Sequence, residues 1–169
     1  PALDAEVIQV GWHITQELGL EQLTLLLNSI GDREDRQIYV PLLRAHFEPN
    51  LSVLCGDCLG RFDRAPMRLL DCKKESCLPL QDGAPTIAEH LRPESAAHFD
   101  SVKRQLQALD IPFRETPTLV RGLDYYTHTV FELVPAREGS QVTVLRSQDS
   151  GVRKEGGPRC GPGRYTQQH

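Results

Sequence analysis

The chain has 169 residues, a formal net charge of −4 and charged side chains at 25% of its positions, which is typical of a globular domain with its own core. No apolar run approaches the roughly 20 residues of a membrane span, and no basic-then-apolar leader opens the chain, so we expect neither a membrane nor a secreted protein. Residues 146–169 carry a net charge of +3 against −7 for residues 1–145, and an acidic body disfavours a primary nucleic-acid binder. Because Pro1 is not methionine, we also expect a piece of a longer protein.

The first 31 residues predict a helix followed by a strand. The buried stripe of the helix is predicted from apolar residues at steps of three and four: Leu3, Val7, Val10, Ile14 and Leu18. Gly19 suits the left-handed conformation that ends a helix. The short apolar run 23–28 predicts a strand that is covered on both faces.

The middle third, from Asp32 to about Leu91, predicts small helices packed together as an insertion. Residues 36–47 are helical in pattern, although Pro41 must begin or kink a helix. A second short helix is predicted over residues 51–61, with Asn50 or Ser52 as its N-cap.

The last third predicts a helix from Pro93, with apolar positions at Ala97, Val102, Leu106 and Leu109. Residues 111–115 are predicted to be extended, and 127–134 to form an antiparallel hairpin with 141–145. Residues 146–169 hold five glycines and two prolines, so we expect them to be disordered. The predicted fold class is α+β.

The chain has five cysteines, and an odd count favours free or metal-bound thiols in a reducing compartment. Cys55 and Cys58, followed by Cys72 and Cys77, approach a four-thiolate zinc pattern. Against it, Cys58 lies in a predicted helix and the second spacing is wide, and a buried free cysteine is commoner. Both interpretations stay open, and the predicted site contains no metal ligand.

The most distinctive string runs from Arg121 through Gly122 to Tyr125 and Tyr126. Arginine offers a planar fork of donors for phosphate or carboxylate, and glycine permits a close backbone approach. Two successive tyrosines supply rings and hydroxyls on opposite sides of an extended chain. Chemistry alone leaves two interpretations: a pocket for a small anionic ligand, or a structural pair of Arg121 with Asp124 before a tyrosine-rich strand.

The string 121–126 closely resembles the histidine-specific signature of the histidyl-tRNA synthetases, a class II aminoacyl-tRNA synthetase family. Residues 3–31 look like the helix and strand that follow motif 2 in that family. Residues 65–73 are similar to the Asn-Pro-Leu-Arg-Ile-Leu-Asp-Cys-Lys segment of the bacterial insertion domain. The resemblance implies an antiparallel-sheet catalytic core, residues 1–31 and 93–145, with a small helical domain, 32–92, inserted in it. The tail, 146–169, is expected to lie outside the family.

By position, Arg121 matches the family's catalytic arginine, which acts at the ATP α-phosphate in place of a metal. A fixed positive charge suits a reaction in which negative charge develops on phosphate. Tyr125 and Tyr126 match residues that shape the histidine pocket. Such a pocket would reject isosteres that lack the imidazole nitrogens, because its own polar groups would then be left without hydrogen-bond partners. Residues 122–124 look like support for this loop, and His128 is expected to be a surface side chain.

The resemblance implies histidine, ATP with Mg²⁺, and tRNA(His) as substrates and partners, and a cytoplasmic homodimer for the whole enzyme. The insertion would contact the tRNA acceptor end through scattered basic residues, although solvated surface charge is the commoner role of each: Arg61, Arg64, Lys73 and Lys74. Motifs 1, 2 and 3 are absent from the 169 residues, so we expect no activity from this chain alone.

Two other functions stay open. One is a histidine-sensing regulatory paralogue of ATP phosphoribosyltransferase, which shares the pocket but usually lacks so full an insertion. The other is an isolated tRNA- or zinc-binding module made from the insertion, in which Arg121 and the two tyrosines would be superfluous.

Overall fold

The computed structural model describes residues 1–20, 22–122 and 125–136, which form a mixed fold of helices and one small sheet. The helices are α1 (Ala2–Glu17), α2 (Arg33–Phe47), α3 (Gly56–Arg64), α4 (Leu78–Gln81) and α5 (Pro93–Ala108). The strands are β1 (Leu23–Ser29), β2 (Phe113–Glu115) and β3 (Thr129–Pro135). Short 3₁₀ segments lie at Glu48–Val53, Pro66–Leu69 and Ile87–His90. No described helix is both long enough and apolar enough to cross a bilayer.

The sheet has the strand order β2-β1-β3, and β1 is therefore its central strand. β1 pairs antiparallel with β3, with Leu23 opposite Pro135, and parallel with β2, with Leu25 opposite Phe113. The parallel pair arises because the long connection from β1 to β2 returns through α5. The α+β class is confirmed, and β1 is buried on both faces as predicted. The predicted hairpin partner 141–145 and the tail lie outside the described residues.

The predicted buried stripe of α1 is wrong. Leu3, Val7 and Leu18 are 73%, 59% and 70% exposed, whereas Ala5 and Ile8 are buried. The helix has apolar residues on two faces, and the face with the small Ala5 is the one that packs onto α5 and the sheet. Periodicity identifies an apolar stripe but cannot say which of two stripes a neighbouring element covers.

Two buried clusters form the core. The first joins α1, α5 and the sheet: Ala5, Ile8, Leu25, Leu27, Phe99, Val102, Leu106, Ile111 and Phe113. The second centres on Tyr39, Leu43 and Phe47 of α2 and includes residues of the 54–87 region. Leu119 and Val120 belong to this second cluster, so the middle third packs directly against the segment that precedes Arg121.

Two predicted helices begin elsewhere. α2 begins at Arg33, because Asp32 caps it and forms a capping box with Asp35, and Pro41 lies inside the helix. The predicted helix over 51–61 is wrong: Asn50 is non-helical and Leu54 is extended. Leu54 separates the 3₁₀ segment Glu48–Val53 from α3, whose N-cap is Cys55. The predicted start of α5 at Pro93 is confirmed.

A buried carboxylate joins the two ends of the middle third. Asp35 accepts hydrogen bonds from the Asp32 backbone at 2.8 Å, the Arg92 backbone at 2.9 Å and the Ser95 hydroxyl at 2.5 Å. The Arg92 guanidinium also pairs with Asp32, and with Glu34 at 2.6 Å. Burial acts to raise the pKa of Asp35, but the hydrogen bonds outweigh it and hold the pKa at about 2. The carboxylate is therefore ionised and fastens the start of α2 to the start of α5.

Candidate functional site

The segment before Arg121 is fixed to the end of β1 by one buried side chain. The Asn28 amide donates to the carbonyl oxygens of Pro117 at 3.1 Å and Leu119 at 2.9 Å. Leu119 and Val120 are buried. Because a buried polar group must be paired, the two carbonyls and the amide satisfy one another and set the course of the chain toward Arg121.

Arg121 extends along β3. Its Nη2 donates to the Phe131 carbonyl oxygen at 2.9 Å and lies 3.4 Å from Oε2 of Glu132. The side chain is 36% exposed, so the guanidinium is oriented by the strand and still reaches solvent. The structure thus gives Arg121 an acidic partner, Glu132, that the sequence analysis did not consider. The expected partner, Asp124, lies outside the described residues.

Arg121 lines a cleft of about 170 Å³ between the middle third and the β1–β3 side of the sheet. Three further arginines line the same cleft: Arg36, Arg64 and Arg68. Arg68 lies against Gly122, where an added Cβ would stand 3.1 Å from the Arg68 Cζ. Four arginines therefore line one cleft, and a guanidinium group suits phosphate and carboxylate, although Arg121 already pairs with Glu132 and the described body is acidic overall.

The two tyrosines stand apart from this cleft. Tyr125 is 76% exposed and Tyr126 41% exposed, and their rings stack with centroids 5.3 Å apart. Neither lines the arginine cleft. A single pocket formed by Arg121, Tyr125 and Tyr126 therefore stays a prediction.

His128 is not the surface side chain that was expected. Its backbone is left-handed, with φ of 57°, and it exchanges hydrogen bonds with Gly31 and Ile30, each of 2.8 Å. Its half-buried ring stacks on His98 with centroids 4.5 Å apart. Burial lowers the pKa of His98, which favours the neutral ring. Because His98 lies in α5 and His128 directly precedes β3, the stacked rings pack the start of β3 against α5.

Three site residues were missed by the sequence analysis. Arg36 and Arg68 line the cleft, and Asn28 positions the chain before Arg121. A polar residue at the end of an apolar strand was the available signal for Asn28. For the arginines the signal was weak, because nothing in the sequence tells a cleft arginine from a solvated one.

The cysteines of the middle third converge. The sulfur atoms of Cys55, Cys58, Cys72 and Cys77 all lie within 4.8 Å of one another. All four are free thiols, and Cys55 is the half-buried member. A hydrogen bond from the Cys58 backbone is the largest influence on Cys55 and lowers its pKa to about 7, whereas burial raises the pKa of Cys58.

Comparisons with known proteins agree on one family. A histidine–tRNA ligase of Listeria innocua is 45% identical over 166 residues, which is 98% of this chain and 36% of that protein. A Bacillus velezensis histidine–tRNA ligase is 45% identical over 164 residues, 95% of this chain and 39% of its own length. The histidine–tRNA ligase 2 of Bacillus cereus is 43% identical over 162 residues, 94% of this chain and 38% of its own length. No protein-family model matches.

A solved structure supports the same relationship. The crystal structure of apo Staphylococcus aureus histidyl-tRNA synthetase matches with a TM-score of 0.60 and 44% identity over 79% of this chain and 31% of that one. The chain thus spans 36–39% of the length of the curated relatives reported above. A sequence match of 94–98% must include residues after 145, where the family likeness was expected to end. By sequence and by fold, this chain belongs to the histidine–tRNA ligase family.

Proposed function

We propose that this chain provides the insertion and part of the catalytic core of a histidine–tRNA ligase. The reaction is the activation of histidine by ATP to histidyl-adenylate with release of pyrophosphate, followed by transfer of histidine to tRNA(His). One observation carries the proposal: Arg121 is oriented by the Phe131 carbonyl and Glu132 beside a cleft that three more arginines line.

In this proposal Arg121 stabilises the ATP α-phosphate during adenylate formation. A guanidinium has five donors, and the contacts of Arg121 with β3 use Nη2, which leaves other donors for phosphate oxygens. A preoriented charge needs no rearrangement as negative charge develops, which is how such groups lower a barrier. We expect Mg²⁺ to accompany the ATP, because this ion neutralises nucleotide phosphates.

The remaining partners follow from the family and stay part of the proposal. Tyr125 and Tyr126 would contact the histidine substrate. The insertion would contact the tRNA acceptor end through its scattered basic residues, Arg61, Arg64, Lys73 and Lys74. The full-length enzyme would be a cytoplasmic homodimer. The exposed apolar stripe of α1 offers the kind of surface that subunit interfaces use.

The two alternative functions are not favoured. The relatives reported above are named histidine–tRNA ligases, and they match 94–98% of the chain, the middle third included. A regulatory paralogue or an isolated insertion module would not be expected to match these ligases so completely.

The test is a chimaera, because the chain spans only part of its relatives. Residues 1–136 replace the matching segment of the full-length Listeria enzyme, and histidine-dependent exchange of pyrophosphate into ATP is measured. We expect the chimaera to be active and Arg121→Ala to lower the exchange rate by about 10²–10³-fold, the usual loss of one preorganised donor.

Arg104→Ala is the matched control, since Arg104 is an exposed arginine of α5 that does not line the cleft. It should leave exchange within about twofold of the chimaera. Far-UV circular dichroism of each variant separates loss of folding from loss of chemistry. Equal exchange in the folded Arg121→Ala and Arg104→Ala variants would contradict the proposal.

A further inference from the structure

The middle third contains a cluster of thiols with the geometry of a metal site. Cys55, Cys58, Cys72 and Cys77 bring four sulfur atoms within 4.8 Å of one another, and three of the four residues are buried. The Sγ atoms of Cys55 and Cys72 are 3.8 Å apart. In a tetrahedral zinc site with Zn–S bonds of about 2.3 Å, the sulfur atoms stand about 3.8 Å from one another.

The cluster joins cysteines that are distant from one another in the sequence. The two pairs come from separate segments, the start of α3 and the turns between Leu70 and Leu78, so the fold must bring them together. Larger apolar side chains at these four positions would fill the core with more apolar volume than cysteine does. Four cysteines whose sulfur atoms converge on one point instead supply the complete donor set of a closed zinc site.

The backbone supports thiolates at the same place. The N–H of Cys55 donates to Sγ of Cys77 at 3.3 Å. Hydrogen bonds to ligating atoms orient ligands and spread their charge, as is usual around bound metals. Cys55 is the N-cap residue of α3, without a side-chain capping hydrogen bond, and Cys58 lies in the first turn, where the helix dipole also favours negative sulfur.

We propose that Cys55, Cys58, Cys72 and Cys77 bind one Zn²⁺ ion in a tetrahedral site. Binding displaces the four thiol protons and leaves a complex with a net charge of about −2. Soft thiolate donors in a tetrahedral set select zinc over the hard cations Mg²⁺ and Ca²⁺. With four protein ligands the ion has no open position, so its role is structural.

The site would fix one wall of the arginine cleft. Arg64 ends α3, which begins at the Cys55–Cys58 pair, and Arg68 lies between that helix and Cys72. The two arginines lie on short helical pieces, α3 and the 3₁₀ segment Pro66–Leu69, which pack against the second buried cluster. The metal would therefore tie the start of α3 to the turn that follows Arg68 and set the spacing of both guanidinium groups.

The first measurement is metal content of the full chain, purified without chelator under reducing conditions. We expect about one zinc ion per chain in the wild type and in Cys160→Ser, the control at the fifth cysteine, which belongs to neither spaced pair. Cys55→Ser and Cys58→Ser should each lose most of the zinc. One iron per chain in place of zinc, or equal zinc in all four proteins, would overturn the assignment.

A second measurement does not depend on the variants folding. Replacing the metal of the wild-type chain with Co²⁺ should give the intense visible and near-ultraviolet absorption of a tetrahedral cobalt–thiolate complex. A strong chelator should lower the melting temperature, and Zn²⁺ but not Mg²⁺ should restore it. Absence of the cobalt spectrum with an unchanged melting temperature would refute the site, as would intact masses that reveal two disulfide bonds among these cysteines.

Discussion

Replacing Asp35 with asparagine tests whether a buried carboxylate holds the middle third to the rest of the fold. Asp35 has no exposed surface, and its two oxygens accept from the Asp32 and Arg92 backbones and from the Ser95 hydroxyl. Asparagine has the same shape, but its NH₂ group would face at least one of these donors. The substitution therefore removes the charge and also leaves buried donors unpaired.

The magnitude follows from the pKa. A pKa lowered from 3.8 to about 2, at about 1.4 kcal/mol for each unit, corresponds to roughly 2.5 kcal/mol of stability from ionisation alone. Unpaired donors add to this, so we expect Asp35→Asn to lower the free energy of unfolding by about 3 kcal/mol at pH 7. Since the folded pKa lies below the unfolded one, the wild-type advantage is complete above about pH 4 and falls away as the pH drops toward 2.

The assay is urea unfolding, followed by far-UV circular dichroism and Trp12 fluorescence between pH 7 and pH 3. Glu34→Gln is the control, because Glu34 also pairs with Arg92 from the first turn of α2 but is largely exposed. It should cost no more than about 1 kcal/mol. Equal losses in the two variants, or a difference between wild type and Asp35→Asn that does not shrink on acidification, would refute this reasoning.

Two further substitutions test how the chain is positioned around the site. Gly31→Ala should lower the free energy of unfolding by about 2 kcal/mol or more, because φ is 59° and the new Cβ would lie 2.6 Å from the Cβ of Asp35. Gly19→Ala is the control, because φ is 70° but nothing lies within 4 Å, and it should cost about 1 kcal/mol in the same urea assay. Equal losses in the two variants would mean that no clash occurs at Gly31. Asn28→Ala should lose about 2 kcal/mol, because the carbonyls of Pro117 and Leu119 lose their donor. Amide hydrogen exchange should then become faster at residues 118–121 and stay unchanged in α1. An equal change in exchange rate in both segments, or no change in either, would contradict the positioning role of Asn28.

Local chemistry in the sequence predicted several elements well. Proline at the first position of α5 and the continuous apolar run of β1 gave the right elements, because helix starts and fully buried strands depend on neighbours in sequence. The Arg121 string indicated the family because it combines several residue types at fixed spacing. The spacing of Cys55, Cys58, Cys72 and Cys77 suggested a metal site, and the same spacing was compatible with apolar thiols in a core.

Other features depended on contacts between distant segments. The stripe of α1 that is buried is set by α5 and the sheet, since the helix is apolar on two faces. The convergence of four sulfur atoms, the arginine cleft and the carboxylate of Asp35 all join residues far apart in sequence. Sequence by itself determined where helices and strands could form and which family the Arg121 string resembles. Only the tertiary structure decided which faces are buried and which charges meet, because packing and pairing free energies depend on neighbours in space.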